Sequence, residues 1–437
     1  MSSQEPEVTE VLVVGGGQAG VAMSEHLTTR GIPHIVVERN RVAENWRTAR
    51  WDSLVANGPA WHDRFPSKRF AGVADDEFAP KDSVADYLEA YAAEFCSPIR
   101  TGVEVRSVRR NDRGAGFVAD TSAGPISARY VVAATGAFQH PAIPPIVAAE
   151  APLTQIHSSD YRNPAQLPEG GVLVVGAGSS GVQIAAELRA AGREVTLAVG
   201  QHDRPPQRYR GRAFVWWLGT LGLWQAAAPE AGTEHVTIAV SGADGGHTVD
   251  FRDLAADGIR LVGRASGYAD GKLLFDGDLA ANIERGDENY LSILKAADAY
   301  IARNGLDLPE EPEAHVLGPL PADAITPTTE LDVAAAGITS IVWATGFRTD
   351  YSWLQVDALD ERGLPRHVRG VSSEPGVYFL GLPWQSSRGS TFIWGVWHDA
   401  KYLTDQIEIQ GSYLGYEGDG VPWNYAAKKS APQEVGA

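Results

Sequence analysis

The chain contains one cysteine, Cys96, among 437 residues. That excludes an intrachain disulfide, a redox-active cysteine pair, a thiolate-only zinc site and a cysteine-ligated iron–sulfur cluster. A lone cysteine suits a reducing compartment, and Cys96 is expected to be a small packing residue. Positive charge is also short: 37 Lys and Arg stand against 55 Asp and Glu, a net charge of −18. This argues against a nucleic-acid surface and against docking on anionic lipid. No run approaches about 18 uncharged apolar residues, and both ends, MSSQEPEVTE and AAKKSAPQEVGA, are polar, so neither signal peptide, membrane span nor anchor is expected. H-E-x-x-H, His/Asp/Glu clusters at ligand spacing and a G-x-S-x-G nucleophile elbow are all missing, so neither metal nor covalent catalysis is expected. The reading is a cytoplasmic chain without metal, with neither nucleic acid nor membrane as partner.

What is present is ordinary core material and an internal repeat. Apolar residues make up 44% and charged residues 21%, enough for two or three domains at about 150 residues each. VLVVGGGQAG at 11–20 and VLVVGAGSSG at 172–181 are near copies. Each has an apolar strand, then G-x-G-x-x-G, then a helical pattern and a second apolar strand. Gly15 and Gly176 make the tight turn, Gly17 and Gly178 admit a pyrophosphate, and Gly20 and Gly181 let helix and strand pack. The intervening Gln18 and Ala19, and Ser179 and Ser180, open helices whose free N–H groups face that anion.

The copies differ at the end of the second strand. The first has Glu38, followed by Arg39; an acid there accepts hydrogen bonds from ribose hydroxyls. The second has Val199 and then GQHDRPPQRYRGR, with Arg204, Arg208, Arg210 and Arg212. A carboxylate facing a 2′-phosphate is strongly repelled, whereas each arginine hydrogen bond gains roughly 1.5–3 kcal/mol. The first site therefore suits FAD and the second NADPH, with Arg204 and Arg208 as phosphate ligands; any one of these arginines is equally explained as a solvated loop residue.

Two later segments, YVVAATGAFQHPAIP (130–144) and SIVWATGFRTDYSWL (340–354), end a strand in Ala-Thr-Gly. Small residues there let a strand end approach a nucleotide, which adds Thr135 and Gly136, and Ala344, Thr345 and Gly346, to the cofactor contacts; Val105 is counted with them. The expected fold is α/β, with two nested dinucleotide-binding, Rossmann-like three-layer domains. Residues 1–165 form the first part of the FAD domain, 166–330 the NADPH domain, with an insertion or lid at about 204–230 carrying Trp216, Trp217 and Trp224, and 331–437 the second part of the FAD domain and a tail.

The fingerprints, ENWRTARWDSLVANGP, QIHSSDYRNP, RYRGRAFVWWL and the Ala-Thr-Gly strands together resemble the flavin-containing monooxygenases over about positions 8–410. The resemblance implies that Trp46 and Arg47 pack near the isoalloxazine and that Asn57, in Asn57-Gly58-Pro59, lies beside flavin and nicotinamide as the catalytic residue. That tripeptide is also a turn signal by itself. Trp51 and Asp52 would shape the same wall, or else serve as core packing and a local cap. Trp384 and Gln385 would border a substrate pocket, while most of Trp343, Trp353, Trp394 and Trp397 are expected in the core or a dimer interface. Of the family's linker signature only His157 is retained, Ala151, Leu153 and Tyr161 departing from it; His157 is expected to be a hydrogen-bonding linker residue. The implied reaction uses FAD, NADPH and O2 to oxygenate a small molecule at a nucleophilic nitrogen or sulfur, in a homodimer. Baeyer–Villiger insertion into a ketone, NADPH-dependent quinone reduction and a non-catalytic sensor are the rivals.

Overall fold

The computed structural model describes residues 5–112, 114–227 and 237–415. In chain order the elements that position the site are β1 (Glu7–Val14), α1 (Gln18–Thr29), β2 (His34–Glu38), α2 (Glu44–Thr48), α3 (Lys81–Glu94), β3 (Ile99–Thr101), β4 (Val105–Arg110), β5 (Phe117–Thr121), β6 (Ile126–Ala133), β7 (Thr154–His157), β8 (Gly171–Val175), α4 (Ser179–Ala190), β9 (Val195–Ala198), α5 (Phe214–Thr220), β10 (Arg260–Val262), α6 (Leu279–Asn304), β11 (Ile338–Trp343), β12 (Val377–Phe379) and α7 (Ile393–Leu414).

Each fingerprint strand is central in the parallel part of its own sheet. In the first sheet the order β12-β6-β1-β2-β3 is parallel throughout, with Val11 opposite His34 and Val14 opposite Val37. In the second, the order is β10-β9-β8-β11-β7, again parallel. A strand buried on both faces cannot alternate apolar with polar, and VLVV does not. Val11 and Val13 pack under α1, α3 and α7, while Leu12 and Val14 meet the β4–β5 side. Val172 and Val174 pack under α4, while Leu173 and Val175 face the other cluster. Each such buried side chain contributes roughly 1.5–3 kcal/mol, so the repeat marks the two most firmly held strands.

The nested α/β architecture holds, but its borders move. β7 and β11 both belong to the second sheet, so that domain starts before 166 and continues past 330. The chain crosses out and back through one paired ribbon, His140–Pro141 against Phe347–Arg348. The second Ala-Thr-Gly strand is therefore the last strand of the second domain, not the first of the returning part. Pairing within the second sheet, which the Ala-Thr-Gly likeness does not reveal, sets the borders. The 204–230 insertion is described as far as 227; its Trp217 is buried with Tyr209 and Leu294, and its last residues lie outside the described residues. Among the described residues no helix is long and apolar enough to cross a membrane.

Cys96 departs from expectation. It is exposed, just past α3, with φ +49°, so it does not pack.

Candidate active site

The first cradle is built as the three glycines require. Gly15 has φ +112°, and a Cβ there would meet the Ala134 carbonyl oxygen at 2.5 Å. A Cβ on Gly20 would fall inside contact distance of the Gly15 carbonyl oxygen, whereas one on Gly17 would meet nothing within 4 Å. Tight turn, close packing and an open face at a helix start are what a pyrophosphate needs. Glu38 is fixed beside it: Oε2 accepts the Gly16 N–H at 2.7 Å and Oε1 the Asn40 N–H at 2.8 Å. Gln18 donates from Nε2 to the Thr391 carbonyl (2.8 Å) and accepts from Trp46 Nε1 (3.3 Å). Ala19 is buried and Arg39 exposed. Thr135 Cα lies 3.3 Å from the Cβ position of Gly15, and Gln139 Nε2 donates to Thr135 Oγ1 and the Gly136 carbonyl, both at 2.9 Å. These residues fit FAD.

The second cradle repeats the geometry. Gly176 has φ +118°, and Ala344 Cβ lies 3.5 Å from the Cβ positions of both Gly176 and Gly181. Ala344-Thr345-Gly346 thus backs this cradle as Ala134-Thr135-Gly136 backs the first, and Thr345 Oγ1 donates to the Ala142 carbonyl at 2.6 Å. One feature differs. A Cβ on Gly178 would meet Thr237 Cγ2 at 2.9 Å, and Ser179 donates both N–H and Oγ–H to the Ile238 carbonyl at 2.8 Å. Ser180, next on the helix, is half-buried. The residues suit a nicotinamide dinucleotide, with the Ser179 N–H taken by the Ile238 carbonyl.

Several expected contacts point elsewhere. Arg204 is 1% exposed: Nε and Nη2 meet Asp287 Oδ1 at 2.9 and 2.5 Å, Asp250 lies 3.4 Å from Nη2, and the guanidinium stacks 4.6 Å from the Tyr290 ring centroid. A fork so occupied offers no hydrogen bond to a 2′-phosphate. Arg210 is taken by Asp298 at 2.7 Å; Arg208 and Arg212 are exposed. Arg47 turns to Asp86 (2.9 Å) and Glu89 (2.8 Å) on α3, away from the cradle. Trp51 lies in the core of the second domain with Leu54 and Tyr161, as the core-packing reading has it, and Asp52 accepts from Asn163 Nδ2 at 2.7 Å. Val105 packs against the cluster of Leu12, Val14 and Val37, while Val103 donates its N–H to the Glu38 carbonyl at 2.9 Å. Gln385 folds back, its Oε1 taking the Gly381 N–H at 2.9 Å. Trp384 lies under Arg388, which supplies the cavity wall that Trp384 and Gln385 do not.

Asn57, Ser179 and Arg388 meet at one cavity between the domains. Its apolar wall includes Phe214, Leu218, Trp224 and Phe392, and Asp63 and Asp203 also reach it. Gln183, on α4, donates from Nε2 to Asn57 Oδ1 at 2.9 Å, and Gln207 Nε2 donates to the Asn57 carbonyl at 3.1 Å. Asp63 accepts from the Gly58 N–H (2.9 Å) and from His62 Nδ1 (2.7 Å), so the Asn57 turn is pinned from both domains. Burial pushes the Asp203 carboxyl up, with Arg388 and Arg285 opposing. His157 is buried and bridges by Nε2 to the Gly346 carbonyl at 2.9 Å, and burial lowers its pKa, as befits a linker residue.

Arg50 was not legible from the fingerprints. Its guanidinium sits 5.6 Å from the Trp46 ring centroid and 5.1 Å from that of Phe138, and burial pushes its pKa down to about 10. Only its neighbours in space, not in sequence, mark it as part of the first cradle.

An oxidoreductase of Geobacillus kaustophilus described as CzcO-like is 36% identical over 404 residues, covering 92% of this chain and 98% of that protein. The chain belongs to the CzcO-like oxidoreductases. A family model described as pyridine nucleotide-disulphide oxidoreductase matches residues 12–210 of this CzcO-like chain. Its fold is that of the flavin-containing monooxygenases, in keeping with the sequence resemblance: the Stenotrophomonas maltophilia flavin-containing monooxygenase superposes with a TM-score of 0.65 at 20% identity, covering 92% of this chain and 99% of that one. An indole-3-pyruvate monooxygenase of Oryza sativa, YUCCA1, is 30% identical over 199 residues, 45% of this chain and 49% of that protein.

Proposed function

We propose that this CzcO-like oxidoreductase is a flavoprotein monooxygenase. It holds FAD in the first cradle, takes reduced nicotinamide dinucleotide, NADPH, at the second, and oxygenates a small organic molecule at a nucleophilic nitrogen or sulfur. The observation that carries this reading is the single cavity reached by Asn57 from the first domain and by Ser179 from the start of the second helix. When bound and reduced, FAD supplies the chemistry of dioxygen activation. The chain's own work is to bind, orient and keep water out. Glu38 and the Gly15–Gly20 turn hold the adenosine end. Gln183 and Gln207 fix Asn57 so that its Nδ2 is the group left to donate toward a reacting atom. Phe214, Leu218, Trp224 and Phe392 supply a dry wall, which suppresses side reactions with water. The fold similarity and the YUCCA1 relative support the same reaction class.

Aerobic turnover with a thioether in ¹⁸O-labelled dioxygen is the test. The expected result is NADPH-dependent oxygen uptake with one labelled oxygen in the sulfoxide. Ester formation from a ketone would move the chain to Baeyer–Villiger chemistry, and anaerobic quinone turnover without label would make it a reductase.

A further inference from the structure

The cavity wall carries polar groups that the protein itself leaves without partners. Among the described residues, Arg388 Nε is buried with no hydrogen-bond partner, and so is Asn289 Oδ1. The Arg388 guanidinium lies 5.3 Å from the Trp384 ring centroid, and its main-chain N–H is tied to the Ala226 carbonyl at 3.2 Å. The side chain is thus positioned from both ends, yet among the described residues no carboxylate comes within ion-pairing distance of it. Arg204, Arg210 and Arg252 each meet an aspartate, whereas Arg388 does not. A buried donor left unmade costs free energy that a ligand acceptor recovers.

The other charges facing the cavity do not remove this vacancy. Asp63 is committed to the Gly58 N–H and to His62. Asp203 feels Arg388 only at longer range, and burial disfavours its ionised form. The rest of the wall is Phe214, Val215, Leu218, Trp224, Ile293 and Phe392. A mainly apolar wall with a few polar groups is the usual form of a small-molecule site.

We propose that Arg388 is the receptor for a carboxylate on an apolar substrate, whose ring or alkyl body lies against Phe214, Trp224 and Phe392. This names the substrate class for the cavity and rests on reading it as the oxygenation site. A guanidinium presents two parallel N–H donors that match a carboxylate, and the unpartnered Nε is one edge of that fork. A phosphate of the dinucleotide is the other anion that could reach the same fork, so the test separates the two.

The probes are 4-(methylthio)phenylacetic acid and its methyl ester, titrated into the oxidised FAD holoenzyme and read by the flavin spectrum and tryptophan fluorescence. The acid is expected to bind about tenfold more tightly than the ester. In Arg388→Gln the two should bind within about twofold of each other, with ester affinity retained; Arg388→Lys, which keeps the charge and loses the fork, should fall between. Asp203→Asn, which removes the opposing carboxylate, should tighten the acid and not the ester. Equal binding of acid and ester to the native enzyme would overturn the assignment, as would equal losses of both in Arg388→Gln. A Kd for NADP⁺ that rises in Arg388→Gln while the acid preference persists would give the arginine to the nucleotide instead. If Arg388→Gln does not fold, Asp203→Asn decides: weaker acid binding there sinks the proposal. Binding is read without turnover, so acid selectivity without labelled oxygen in the sulfoxide would leave Arg388 assigned and remove the monooxygenase reading.

Discussion

Gln183 donates to Asn57 Oδ1 at 2.9 Å across the domain boundary. The same Nε2 also donates to the Val240 carbonyl at 2.7 Å, so one side chain on the second-domain helix α4 ties both Asn57 and the segment over the second cradle. Asn57 is therefore positioned by a residue that the catalytic reading alone would not select.

Replacement of Asn57 by alanine is expected to leave FAD bound and reduction by NADPH intact while raising hydrogen peroxide released per NADPH consumed. Loss of one buried hydrogen bond is worth about 1–3 kcal/mol, so coupling should fall roughly tenfold. Gln183→Ala should do the same to a smaller degree. Peroxide release unchanged in both variants would remove Asn57 from the site.

The two glycines Gly17 and Gly20 should fail differently. A methyl at Gly17 meets no protein atom, whereas one at Gly20 runs into the Gly15 carbonyl. Gly17→Ala is expected to fold, with an unchanged circular dichroism spectrum, and to lose flavin. Gly20→Ala should lower the thermal midpoint whether or not flavin is added. Full flavin content in Gly17→Ala would show that nothing approaches that face.

Arg204 should matter to stability and not to cofactor choice. Removing it leaves Asp287 and Asp250 with Arg252 as their shared counter-ion, so the loss falls at the low end for a broken buried pair, about 3 kcal/mol. The NADPH-to-NADH ratio of kcat/KM is expected to stay within about twofold of the native value. Burial works against the Asp287 carboxylate, but hydrogen bonds from Arg252 and Arg204 hold its pKa below the usual range. That stability is complete above the unfolded carboxylate value of about 3.9 and is lost as pH falls through the lower folded value. A change in the cofactor ratio in Arg204→Ala would return the residue to the phosphate site.

Mild acid should destabilise the protein through histidine. Burial pushes both His26 and His202 down to about 4, below the unfolded value near 6.5. Between those limits the unfolded chain binds more protons, so stability is full above about pH 6.5 and declines as pH falls toward 4. Each histidine contributes up to about 1.4 kcal/mol per pH unit in that window. Thermal midpoints measured from pH 7 to pH 5 should fall, and His26→Gln should make the decline shallower. An unchanged slope would mean that His26 is hydrated in the folded state.

The twin strands, their glycine turns and Glu38 were legible because each is fixed within a few neighbouring residues: a turn angle, a helix start, an apolar run. The arginine cluster was not. Arg204, Arg208, Arg210 and Arg212 are alike in sequence, and only the positions of Asp250 and of Asp287 and Asp298, the last two 83 and 88 residues from their partners, separate the buried pairs from the exposed side chains. Of the two readings offered for Trp51, core packing is the one the structure shows, because the chain beside Asn57 passes into the second domain's core at that point.

Sequence by itself determined the cofactor cradles, since local backbone sterics and helix ends do not depend on what packs around them. Tertiary structure decided which charged groups remain available. A buried charge must find a partner or stay exposed to a ligand, and that outcome depends on segments far apart in the chain meeting in space. Arg204 met Asp287; Arg388 met an open cavity.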